Sequence, residues 1–174
     1  MPLRTETIDF GEEVQRLEDE IDELENIINS IGDDVDGETA HALLERLQSL
    51  QTHLKGVKWA RDEAFEADYA PMWDDDVDAI TLAGLTGGEF GRMQDDLEGA
   101  GSGAARVHQV EAGTEDAPYI DDSMDRDQRI ATVSDLPVHY LMWAESRIDD
   151  LTGLGGNARI NYDDLRAEMQ TQET

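Results

Sequence analysis

The chain has 174 residues, with 42 Asp and Glu against 13 Lys and Arg, a formal charge of -29 and no cysteine, which suits one or two small domains. Without cysteine there is no disulfide framework, no zinc ribbon and no thiol nucleophile. No apolar run reaches the roughly 18 to 20 residues of a spanning helix, and Met1 to Gly11 carries neither the basic nor the apolar region of an export signal.

In chain order, the clearest element is a helix over Glu12 to Ile31. Val14, Leu17, Ile21, Leu24, Ile28 and Ile31 recur at alternating spacings of three and four, a heptad seam with acidic residues between. Turn formers over Gly32 to Gly37 break it. Leu43, Leu47, Leu50, Leu54 and Val57 then resume the spacing on a second helix predicted to reach about Tyr69, and a short connection folds the two back as an antiparallel, coiled-coil-like hairpin. Each seam buries the other; because two narrow stripes make a small core, packing on another chain, including a second copy, is the alternative reading. Pro71 ends this region.

After the acidic stretch Asp74 to Asp78, Asp78 to Ala83 reads as a strand. Thr86-Gly-Gly-Glu89 is a capping-box pattern ahead of Phe90, Met93 and Leu97 at helical spacing. Gly99 to Gly103 reads as a turn, the alternation of Arg106 to Glu111 as a second strand, and Gly113 to Asp127 as a loop. Ser134 or Asp135 is expected to cap a helix with Pro137 in its first turn, marked by Val138, Leu141, Ile148 and Leu151 and stopped at Gly153. Asn161 is expected to cap a last helix through Leu165 and Met169.

Searching for chemistry returns few signals. A 12-residue calcium loop starting at Asp74 would need Gly where Ala79 stands and Glu where Leu85 stands, and Asp33, Asp34 and Asp36 fail the same spacing. His41, His53, His108 and His139 contain no pair at zinc-helix spacing. Gly84, Gly87, Gly88 and Gly91 do not make a dinucleotide loop, and Ser102 lacks the first glycine of a nucleophile elbow because Ala100 stands there. No metal, cofactor or catalytic residue is therefore assigned.

The basic residues are informative by type, since only Lys55 and Lys58 are lysines and the rest are arginines. A charge of -29 implies strong self-repulsion at low ionic strength. Molar salt removes it, because the Debye length falls to about 3 Å at 1 M. In composition the chain resembles proteins of haloarchaea, which accumulate salt. The lack of a Lys/Arg cluster argues against direct binding to a nucleic-acid backbone.

The stretch from Ala79 to Leu151, with Ile80 to Phe90, Ala117 to Asp121 and Leu136 to Trp143 as its segments, resembles small proteins of haloarchaeal tailed viruses and proviruses. Among these it is most similar to the tail assembly chaperones, mostly helical partners of the tape-measure protein. The resemblance implies a non-enzymatic factor in virion morphogenesis and brings no catalytic residues. A structural virion subunit at the neck or tail, and an acidic DNA mimic or inhibitor, are the alternatives.

The sequence thus leads to a mainly helical α+β protein: an acidic helical hairpin over residues 1–70 and a compact α+β domain with C-terminal helices over 71–174. The expected setting is a high-salt host cytoplasm or the virion, with tail or other virion proteins as partners and neither nucleic acid nor membrane bound directly. Residues expected to carry the interactions are Leu17, Leu24, Leu47 and Leu54 on the hairpin and Tyr140, Met142 and Trp143 beside a groove between the hairpin and the helix around Leu141.

Overall fold

The structure, a computed structural model, describes residues 4–31, 35–63 and 77–153. The continuation of the second helix toward Tyr69, the run Asp74 to Asp76 and the helix expected after Asn161 lie outside these residues. The fold is mainly helical α+β, with helices around a small antiparallel sheet.

Strand β1 (Thr5–Asp9), which the sequence reading did not anticipate, runs straight into helix α1 (Phe10–Ser30). The switch falls at Asp9, whose carboxylate accepts the Glu12 N–H at 2.8 Å as an N-cap. Phe10, Val14, Leu17, Ile21 and Leu24 are buried as the seam demands, but Ile27 replaces Ile28 at its end. Ile28 is partly buried against the same core. Helix α2 (Gly37–Lys58), capped by Asp36, buries Leu43, Leu50 and Val57 and returns along α1 to complete the hairpin. It widens into a single π-helical turn over Trp59–Glu63.

Strand β2 (Ala79–Ala83) stands at the centre of the sheet, pairing antiparallel with β1 in the register Ile8 to Ile80 and on its other edge with β3 (Thr114–Asp116). Helix α3 (Gly87–Asp96) begins with the expected capping box: the Glu89 N–H donates to Thr86 Oγ1 at 3.2 Å, and the Thr86 N–H to the Glu89 carboxylate at 2.8 Å. Arg106 to Glu111 is not a strand. It lies in helix α4 (Ser102–Gly113), where Val110 is buried and Arg106 and Gln109 bond to Glu145 and Asp149 on another helix, so tertiary pairing overrides the local alternation. The expected loop opens with β3 and closes into α5 (Arg126–Ser134), whose cap is a second capping box between Asp125 and Gln128. Ser134 and Asp135 consequently finish α5 and do not start the next helix, α6 (Val138–Thr152), which begins after Pro137 and stops at Gly153 with φ +81°.

Helix α6 is the hub, packed against α2, α4 and β2. It meets α2 backbone to backbone at Gly56, where any Cβ would collide with the His139 carbonyl oxygen. Phe10, Trp59, Tyr119, Tyr140 and Trp143 meet edge to face or tilted at centroid separations of 5.5 to 6.4 Å. A single hydrophobic cluster therefore contains Leu17 and Leu24 together with Tyr140 and Trp143, so residue 70 does not divide two separate cores.

Candidate interaction surface

The residues singled out from sequence divide by burial. Leu17 and Leu24 are buried between the helices of the hairpin, Leu47 and Leu54 are half-buried against the same core, and Met142 is half-buried on α6. Tyr140 and Trp143 are fully buried, so neither can anchor a partner at the surface. Their neighbourhood is no open groove, because α6 itself fills the space beside α2.

The buried aromatic tips are spent on internal bonds. The Trp143 indole N–H donates to Glu13 Oε1 at 2.9 Å, and the Tyr140 and Tyr119 hydroxyls lie 3.0 Å apart, with Thr114 Oγ1 at 3.4 Å from Tyr119. Glu13, only 4 % exposed, also accepts two bonds from Arg16 at 2.7 and 2.8 Å, and Arg147 stands 3.8 Å away. Burial pushes the Glu13 pKa up, yet the bonds from Arg16 and Trp143 and the charges of Arg16 and Arg147 outweigh it and hold the carboxyl below its ordinary value. Close by in the hairpin, burial first and then the Arg46 and Arg16 charges push His53 down to about 4, so it is neutral at pH 7. Sequence reasoning passed over Glu13 and weighed His53 only as a zinc ligand. Helical phase contained the signal, since Glu13 lies three residues after Phe10 and four before Leu17, and His53 three after Leu50 and four before Val57.

A cleft of about 450 Å³ between α3, α4 and α5 is lined by Arg92, Arg126 and Arg129 among several carboxylates. Its charges largely satisfy one another. Arg126 bonds to Asp96 at 2.7 Å, Arg129 lies 3.2 Å from Glu111, and Arg129 also donates to the backbone carbonyls of Glu111 and Thr114. These ion pairs tie three helices together. Among the described residues no three His, Asp or Glu side chains converge as metal ligands would, and no helix is long and apolar enough to cross a membrane.

The outer face of α2 differs from that of α1. Helix α1 carries eight carboxylates against Arg16, whereas α2 carries Glu38 and Glu45 against Arg46 and both lysines of the chain. Among the described residues, the large apolar side chains that stand exposed are Leu44 on α2, at 49 %, and Val138 at the start of α6, at 60 %. Sequence spacing assigned Val138 to the buried face of its helix; the structure turns it outward. Val138 and His139 border a shallow hollow of about 570 Å³ with Gln48, Gln51, Thr52 and Lys55, and Leu44 lies one turn before Gln48 on the same face. Two exposed apolar side chains thus flank a stripe of uncharged glutamines, on an otherwise acidic protein.

Comparison of the chain with protein-family models, with curated proteins and with solved structures finds no match to any of them.

Proposed function

We propose that this protein is a non-enzymatic assembly factor of a tailed virus of a halophilic archaeon, and that it holds the tail tape-measure protein through the outer face of α2. The observation that carries the binding part is the pairing of Leu44 and Val138 across the glutamine stripe of Gln48 and Gln51. A long helix that is not yet sheathed exposes apolar stripes, and helix-in-groove packing covers such a stripe by apolar contact. In a high-salt cytoplasm most partners are acidic as well, so a face with fewer carboxylates than the α1 side is one that another protein can approach closely. The acid-rich outer side of α1 keeps the protein soluble while its client is bound.

Co-expression with the neighbouring long helical protein at molar salt tests this. The wild-type chain should raise the client's soluble yield, and Leu44→Asp combined with Val138→Asp should abolish the gain while leaving the circular dichroism unchanged. A wild-type chain that neither binds nor solubilises the client overturns the chaperone reading and favours a virion subunit at the neck or tail.

A further inference from the structure

We propose that before a client arrives, the outer face of α2 is covered by a second copy of this chain, with the two α2 helices antiparallel about a two-fold axis passing between Gln48 and Gln51. This rests on the reading of that face as the binding face. The argument comes from how the face is laid out along the helix. Glu38 and Glu45 lie in its first half and Lys55 in its second, Lys58 being turned to Glu18 of α1 at 2.7 Å, and the exposed apolar groups are likewise split, with Leu44 toward one end and Val138 beside Thr52 and Lys55 toward the other.

A face with opposite character at its two ends is complementary to itself only when turned around. Antiparallel pairing sets Leu44 against Val138 and the Lys55 stem of the second copy, brings Glu45 beside Lys55 of the second copy, and leaves glutamine against glutamine at the axis. Parallel pairing would instead place Leu44 on Leu44 but glutamate on glutamate and lysine on lysine. The apolar contact is confined to two side chains on each copy, so the pair is held weakly enough for a client helix to displace it. Its formation also requires salt, since two chains of charge -29 repel until their fields are screened.

The test uses the absence of cysteine, which makes any single introduced cysteine a unique labelling site. Sedimentation at molar salt should give, at high protein concentration, twice the 19.4 kDa mass of the chain, falling to the single mass on dilution and at every concentration for Leu44→Asp. Spin labels on Gln48→Cys should then report backbones about 10 Å apart, and labels on His41→Cys backbones about 27 Å apart, from a rise of 1.5 Å per residue and an interaxial distance near 9 Å. Nearly equal separations at the two positions, a pair that survives Leu44→Asp, or a single chain at all concentrations would overturn the proposal. The two readings fail separately. A monomer that still solubilises its client sinks only the self-pairing, whereas a pair with these distances that binds no client sinks only the chaperone reading.

Discussion

The indole N–H of Trp143 donates to the buried carboxylate of Glu13 at 2.9 Å, and this bond fastens the hub helix α6 to the first helix of the hairpin. It joins residues 130 positions apart and completes the set of donors that keeps the buried Glu13 carboxyl below its ordinary pKa. Removing one partner leaves the others buried and short of a bond. Glu13→Ala should therefore cost about 3 kcal/mol or more in urea unfolding, and Trp143→Phe about 1 to 3 kcal/mol. A change below 0.5 kcal/mol in both would show that the network is not buried as described.

Acid should destabilise the protein in two steps. His53 has its folded pKa lowered to about 4 from 6.5, so between these values the unfolded chain binds the proton and the folded one does not. Stability then falls as pH drops through that window, by about 3 kcal/mol in all. Glu13, also lowered, contributes stability that is present above the ordinary carboxylate range and lost as pH falls through its folded value. Urea midpoints measured from pH 7.5 to pH 4 at fixed molar salt should slope downward for the wild type and flatten for His53→Gln. An unchanged slope in that variant would place the titration elsewhere.

Salt should control the whole fold. At about 50 mM the Debye length exceeds 10 Å, and the carboxylates along α1 again repel one another. Circular dichroism should lose helix on dialysis from molar salt to that level. A fully native signal after dialysis would contradict the high-salt reading.

Gly56 is required by packing. With no room for a Cβ against the backbone of His139, Gly56→Ala should push α6 off α2 and cost about 2 to 3 kcal/mol, whereas Gly91→Ala, which meets nothing within 4 Å, should be neutral or slightly stabilising. Thermal unfolding of the two variants checks this. Equal melting temperatures would mean that the two helices cross elsewhere.

What could be read in the sequence was local. The heptad seam from Val14 to Leu24, the capping box of Thr86 and Glu89 and the glycine stop at Gly153 all depend on residues within a few turns of one another, and all are present. Strand β1 escaped notice because its partner, β2, lies more than 70 residues away, and α4 was misread because its pairing with Glu145 and Asp149 on α6 is invisible to local alternation. Tyr140 and Trp143 lie in the core and not beside a groove for a different reason. An aromatic such as Trp143 supplies core volume as readily as an interface anchor, and only the packed fold shows that its N–H is already taken by Glu13. Leu44, beside the seam residue Leu43 and off the stripe, carried a sequence signal that periodicity alone did not single out.

The central claim is that the outer face of α2 binds an apolar helical stripe, and the most direct measurement is the affinity for a labelled peptide spanning such a stripe of the client, by fluorescence anisotropy at molar salt. Truncating a central apolar contact commonly costs 1 to 2 kcal/mol or more, about tenfold in Kd or beyond. Leu44→Asp with Val138→Asp should weaken binding at least tenfold, while Glu25→Gln on the outer side of α1 should leave it unchanged. Equal affinity for the wild type and the double variant, with both folded, would contradict the account.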